Sequence, residues 1–348
     1  MPSRRVSLRP PRRPLPARAT LAVAAGLAGT LVLAACGGGS TGGADAGADG
    51  DTGADRLQVV AAFYAVEHAA SRVGGDRVEV APLTSAGVDP HDLELSPRAV
   101  ASLGAADLVL YSSSFQPAVD DAVAAAGQDI TVLDVNAAAD LVATTAYDPG
   151  SHAHDEEGEA HDGDEGHADE GDDHGALDPH FWLDPERYSA VVSEIAGELS
   201  RIDPEGAGQY EANAADLVAE LDALDAEFAD GLSQCAESDV VTTHAAFGYL
   251  TDRYGLHQVP VTGLAGEDTP SPARLAEVTA TVHDLGVSTV YAEPIAGADL
   301  ADTIARETGA QVRVLDPLEG ITPASPGDDY FSVMRATLAA LTEGQDCS

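Results

Sequence analysis

Between Asp203 and Leu232 the apolar residues Tyr210, Ala214, Leu217, Leu221, Leu224, Phe228 and Leu232 recur in unbroken steps of three and four. That spacing predicts one amphipathic helix over residues 204–232, opened by Asp203-Pro204, roughly 28 residues and about 40 Å long at 1.5 Å per residue. A helix of this length reads as a strut joining two lobes. A coiled-coil pairing is the alternative, disfavoured by the many acids on the helix and the near absence of basic partners.

On either side of the helix, strands alternate with helices. Leu57 to Phe63 reads as a buried strand, followed by a helix to about Val73, a Gly74-Gly75 break and a short strand from Arg77 to Val80. A helix opening at Ser96-Pro97, a strand at Leu108 to Tyr111, a helix after Pro117 and a strand at Ile130 to Leu133 continue the pattern. Asp184-Pro185 then starts a helix with Tyr188, Val191, Val192, Ile195 and Leu199 on one face.

Beyond the long helix come a strand at Val240 to Thr243, a helix through Phe247 to Tyr254, and a strand at Gln258 to Val261. Ser271-Pro272 caps a helix with Leu275, Val278, Val282 and Leu285 facing inward. Val290-Tyr291 and Val312 to Leu315 read as strands on either side of a helix at Ala298 to Thr308, and a final helix carries Val333, Met334, Leu338 and Leu341 inward. The fold class is α/β, with two doubly wound lobes. The expected division is 56–147 for the first lobe, 177–203 for its end, 204–232 for the linking helix and 233–348 for the second lobe.

Residues 1–35 read as a signal peptide. Six arginines precede an apolar run from Leu21 to Ala35, which is shorter than the roughly 20 residues of a spanning helix and ends in the lipobox Leu33-Ala34-Ala35-Cys36. Cleavage before Cys36 and lipidation of its thiol would anchor the chain on the outer face of the cell membrane through residues 36–55, a flexible linker. A transmembrane anchor is the alternative, and Ser3-Arg4-Arg5 hints at twin-arginine export. The formal charge of −42 makes nucleic acid and anionic membrane surfaces poor partners. With Cys36 committed to lipid, Cys235 and Cys347 remain in an oxidising compartment, where a disulfide between them would tie the C-terminus to the second lobe; two free thiols are the alternative.

Three histidines stand out. His91 lies in GVDPHDLELSP between a strand and a helix, His244 directly follows a strand, and His180 sits in DPHFWLDP beside the only tryptophan, Trp182. In open α/β sheets ligands bind beyond the carboxyl ends of strands, which is where a cleft between the lobes falls. Three neutral imidazoles and one carboxylate from the last strand's exit, Glu319 or Asp316, would complete the four-coordinate set that zinc prefers. The plain alternative for each histidine is a core or surface role. Residues 148–176 scatter His152, His154, His161, His167 and His174 among acids, Gly and Ala, a segment that cannot build a core. These five histidines form either a weak auxiliary metal collector or a solvated loop with no role. His68, His257 and His283 read as ordinary residues.

The motifs GVDPHDLELSP, DPHFWLDP, VVTTHAAFGYL and VLDPLEGIT stand in the order seen in the zinc-binding lipoproteins that serve ATP-binding-cassette importers, and from Leu57 to Leu341 the chain resembles that family. The resemblance implies two α/β lobes joined by one long helix, with the metal held between them by His91, His180 and His244. Glu319 or Asp316 would be the fourth ligand, or water in its place. Histidine at the third position, where manganese and iron binders tend to carry a carboxylate, favours zinc. Ala245 stands where the family often has Asp, which removes one source of support for His244.

The implied role is capture of Zn2+ outside the membrane by a lipid-anchored monomer and delivery to a permease, with no reaction catalysed. A manganese or iron binder of the same family is the alternative, and a zinc hydrolase the remote one. Capture requires deprotonated imidazoles, so affinity is expected to fall as pH drops through about 6 to 7.

Overall fold

The computed structural model describes residues 56–143, 177–265, 270–294 and 297–348, all within one compact unit spanning residues 52–348. The expected signal peptide (1–35), the expected lipidation site Cys36, the expected linker (36–55) and the histidine-rich segment 148–176 lie outside the described residues.

The first sheet is built from β1 (Leu57–Ala61), β2 (Val78–Pro82), β3 (Leu108–Tyr111) and β4 (Val132–Asp134). All pairings are parallel and the spatial order is β2-β1-β3-β4, with Val59 opposite Leu108 and Val109 opposite Val132. The crossovers are α1 (Tyr64–Gly74), α2 (Pro97–Leu103) and α3 (Pro117–Ala126), and α4 (Asn136–Ala139) follows the last strand. Ser96 caps α2 through its side chain, with Pro97 fixing the first turn.

The second sheet repeats the first. Strands β5 (Asp239–Thr242), β6 (His257–Pro260), β7 (Thr289–Ala292) and β8 (Gln311–Val314) are parallel in the order β6-β5-β7-β8. They are connected by α7 (Gly248–Arg253), α8 (Pro272–Leu285) and α9 (Ala298–Thr308), and α10 (Tyr330–Gly344) closes the chain. Leu285, expected inward, is exposed at the last turn of α8, where Gly286 in the left-handed region (φ 69) ends the helix. In each sheet the strand order reverses direction at one point, between β1 and β3 and between β5 and β7. A crevice opens there at the carboxyl ends of the strands.

Between the sheets run α5 (Pro185–Ile202) and α6 (Ala207–Gly231). The long helix starts three residues later than its periodicity suggests. The Asp203 carboxylate takes Arg77, the Tyr210 hydroxyl and the Gly206 amide, which makes 203–206 a turn rather than a first helical turn. Nor does α6 cross open space: it packs back along α5, touches α1 and meets α10 near its end, burying Tyr210, Leu217, Leu221, Leu224 and Phe228 completely. These residues belong to one apolar cluster that reaches from Val59 and Leu110 of the first sheet to Val240 and Tyr291 of the second. Burying that stripe stabilises the helix far more than its intrinsic propensity does.

Cys235 and Cys347 are joined by a disulfide, so the C-terminus is tied to the segment between α6 and β5. Among the described residues no helix is long and apolar enough to cross a membrane.

Candidate metal centre

An Asp-Pro step followed by an amide captured by the Asp side chain builds this site repeatedly. Proline presets φ and offers no N–H, which leaves the Asp carboxylate to accept the amide two residues on. Asp89 accepts the His91 amide at 2.8 Å, Asp178 the His180 amide at 2.9 Å, Asp184 the Glu186 amide at 2.9 Å and Asp316 the Leu318 amide at 2.9 Å. Three of these four turns deliver His91, His180 and the loop of Glu319, and the fourth caps α5.

His91 hangs in the loop after β2. The buried Gln116 amide donates to the Pro90 carbonyl (3.2 Å) and to Thr84 Oγ1 (3.0 Å), which anchors the loop to the ends of the first sheet. Phe115 meets the His91 ring edge-on at 4.8 Å. His180, fully buried, places its Nδ1 2.8 Å from Asp178 Oδ1. His244 leaves β5 with its carbonyl held by Thr242 Oγ1 and the Gln258 amide, and its Nδ1 lies 2.6 Å from Glu293 Oε1. Glu293 follows β7, across the switch point from β5, and also accepts the Thr243 hydroxyl. A carboxylate on Nδ1 fixes that proton there and turns the Nε2 lone pair into the cleft.

The Nε2 atoms of all three histidines converge on Glu319. His91 and His180 stand 3.4 Å apart, each is 3.2 Å from Glu319 Oε1, and His244 Nε2 is 3.7 Å from it. One ligand atom from each of the four residues falls within 4.8 Å of the others. In a tetrahedron with metal–ligand bonds of about 2.0–2.1 Å, ligand atoms are about 3.3–3.4 Å apart. Three of the four spacings given above lie close to that figure, so a zinc-sized ion fits once His244 moves in toward the other three. His244 Nε2 is buried with no hydrogen-bond partner, an uncompensated polar atom aimed into the cluster.

The electrostatics fit the same picture. Burial alone would push the His244 pKa down, but Glu293 and Glu319 outweigh it and raise it to about 10. Burial likewise opposes charge on His180, and Asp178 and Glu319 reverse the balance. Glu319 is held well below the ordinary carboxylate range, because His180, His244 and His91 overcome the cost of burying it.

The structure therefore brings together His91, His180, His244 and Glu319. Asp316 stands outside the cluster, with its Oδ1 engaged by Leu318. The five histidines of 148–176 lie outside the described residues. Ala245, expected to remove one source of support for His244, uses its amide on Gly263, and a carboxylate on His244 comes instead from Glu293, nearly fifty residues on. Sequence reading missed Glu293 and Asp178. Asp178 was signalled by the repeated Asp-Pro-His. Glu293 was signalled only by its place just beyond a strand that borders the switch point.

Two parallel α/β lobes bridged by packed helices, with a histidine cluster where the carboxyl ends of their strands face each other, define the class of metal-binding solute receptors. Residues 59–344 match the family described as ZnuA, the periplasmic component A of the zinc-uptake complex, and the chain belongs to that family. Its members are solute-binding components of transporters.

Among its relatives is the zinc-binding lipoprotein AdcA of Streptococcus pneumoniae serotype 4, 37% identical over 297 residues, covering 84% of this chain and 56% of AdcA. The chain thus spans little more than half the length of that relative. The high-affinity zinc uptake system protein ZnuA of Bacillus subtilis is 34% identical over 318 residues, 90% of this chain and 93% of its own. The crystal structure of the Zn(II)-bound ZnuA-like domain of Streptococcus pneumoniae AdcA superimposes with a TM-score of 0.66 at 33% identity, covering 84% of this chain and 99% of that one.

Proposed function

We propose that the chain captures Zn2+ outside the cytoplasmic membrane through His91, His180, His244 and Glu319 and passes it to the permease of an ATP-binding-cassette importer, catalysing no reaction. The observation that carries this reading is the convergence of three Nε2 atoms on one carboxylate, with His244 Nε2 buried and unpartnered at its edge. A cation with imidazole-preferring chemistry satisfies all four groups at once. The zinc-binding names of relatives that match over more than four fifths of the chain support the same ion. Three imidazoles against one carboxylate weigh against manganese, which prefers oxygen.

Lipid attachment through Cys36, the monomeric state and a metal-collecting role for His152, His154, His161, His167 and His174 belong to this proposal. The domain division belongs to it as well, with 204–232 linking two lobes. The helices joining the lobes share one apolar cluster, so release is expected to proceed by a small tilt or loop shift rather than wide opening.

Metal analysis of the purified protein tests the proposal. One tightly held zinc per chain is expected in the full protein and after deletion of residues 148–176. His91→Ala, His180→Ala and His244→Ala should each lose it. Loss of tight binding on deleting 148–176 would move the site into that segment and overturn the assignment.

A further inference from the structure

The turn that carries Glu319 is strained, and one side chain from the histidine-bearing segment holds it. Leu318, fully buried, has φ +58, in the left-handed region that a branched apolar residue rarely occupies. Such a conformation persists only where its surroundings over-determine it. Two hydrogen bonds do so: the Asp316 carboxylate takes the Leu318 amide at 2.9 Å, and the Trp182 indole Nε1 donates to the Pro317 carbonyl at 2.7 Å.

Trp182 is itself held on several sides. It is fully buried, packed against Phe63 at 5.2 Å and Phe115 at 5.8 Å, and its carbonyl accepts the Tyr330 hydroxyl at 2.7 Å. It is also two residues from His180, whose ring it meets at 5.4 Å. A single rigid segment thus supplies one metal-facing histidine and grips the turn that presents the carboxylate from the other sheet.

We propose that Trp182 is a positioning residue for Glu319: its indole N–H, by holding the Pro317 carbonyl, keeps the strained 316–319 turn in register with the three histidines and so sets how slowly zinc leaves. This rests on the reading of Glu319 as a zinc ligand. Beside the indole bond, the turn is held by the Asp316 contact, by the burial of Leu318 in the shared core and by the Glu319 contacts with His91 and His180. Losing the indole bond therefore loosens the backbone that presents Glu319 while leaving the direct His180–Glu319 contact and both side chains in place. The acidic pocket beside the site, bounded by Glu293, Asp316 and Glu319, shares this turn as one wall.

The test is a double-mutant cycle on zinc dissociation. Zinc-loaded protein is mixed in a stopped flow with an excess of a chromophoric zinc chelator, using the native chain, Trp182→Phe, Glu319→Gln and the pair. Phe keeps an aromatic ring against Phe63 and Phe115 and removes the donor together with part of the indole, and the Glu319→Gln background separates the effect of the lost bond from that of the lost volume. Trp182→Phe is expected to speed dissociation tenfold or more in the native background and less than twofold in the Glu319→Gln background, because its effect passes through that carboxylate. Equal acceleration in both backgrounds, or none in either, would overturn the proposal. A Glu319→Gln variant that releases zinc at the native rate would instead sink the ligand assignment beneath it. Should Trp182→Phe fail to melt cooperatively, Asp316→Ala takes its place in the cycle, with the same coupling expected. Asp316→Asn, which keeps an oxygen for the Leu318 amide, should restore slow release; failure of that rescue would count against the turn as the point of control.

Discussion

Replacing Glu293 should weaken zinc binding although Glu293 is not itself one of the four converging groups. Its Oε1 sits 2.6 Å from His244 Nδ1 at a position where His244 is only 2% exposed, a charge-assisted bond in a dry setting. The bond fixes the imidazole's tautomer and raises its basicity toward a metal at Nε2. Groups in this position are typically worth about 10–100-fold in metal affinity, or about 1.4–2.7 kcal/mol. The two substitutions should separate the effects. Glu293→Gln keeps an oxygen that accepts from both His244 Nδ1 and the Thr243 hydroxyl but loses the charge, so a loss near the lower end, about tenfold, is expected. Glu293→Ala also leaves the Nδ1–H buried without an acceptor and releases the ring, which places it near 100-fold. Competition titration against a chelator of known zinc affinity at fixed pH measures both. If Glu293→Ala binds zinc within threefold of the native chain, the ring is held by its backbone contacts and the carboxylate is irrelevant to affinity.

Removing the disulfide should cost stability without touching the site. Cys235 and Cys347 are 112 residues apart in sequence, and Cys235 lies before β5, at the opposite end of the strand from His244. The double Ala variant should lose about 2–4 kcal/mol in denaturant unfolding with unchanged zinc affinity. A second effect concerns His68, which stacks on Tyr330 at 5.4 Å and bonds Tyr188 through Nδ1, with burial pushing its pKa down to about 4. A depressed histidine pKa means that the unfolded chain takes the proton first, so stability falls as pH drops from about 6.5 to about 4, by on the order of 2–3 kcal/mol. His68→Phe, which keeps the ring stack, should flatten that stretch of the stability–pH curve of the metal-free protein; an unchanged slope would assign the effect to other groups.

Periodicity located the helices and strands because each has one buried face, and the Ser-Pro and Asp-Pro steps marked three helix starts to the residue. It misplaced the start of α6, where the competing pull of Asp203 on Arg77 and Tyr210 is a long-range contact that no local pattern records. The three converging histidines were legible because each lies at a strand exit or in an Asp-Pro turn. Their supports divide by distance along the chain. Asp178 is two residues from His180 and was readable in principle. Glu293 reaches His244 through the parallel pairing of β5 and β7, and Trp182 reaches Pro317 across from one lobe to the other, neither of which a sequence without its topology reveals.

The buried charges allow the site to fill and empty with little rearrangement. Three carboxylates, Asp178, Glu293 and Glu319, face the imidazoles, and in the metal-free protein they hold His180 and His244 above their ordinary pKa, the latter at about 10. His244, held at about 10, brings one positive charge to face the three negative ones, and the same carboxylates favour a proton on His180; zinc with neutral rings supplies two. Exchange of the cation for protons held on these rings therefore keeps the buried charge close to balance and avoids the large cost of an unpaired ion. The sign is definite: groups held protonated up to high pH compete with the metal up to high pH. The competition therefore extends above the window near pH 6 to 7 expected for unperturbed histidine, and apparent zinc affinity should still be climbing between pH 7 and 9. Calorimetric titration of zinc into the metal-free protein at pH 7.5, in buffers of different ionisation enthalpy, counts the protons. Release of one to two per zinc is expected, falling in Glu293→Gln, whereas zero release would mean that the rings are already neutral and that the carboxylates act only as orienting acceptors.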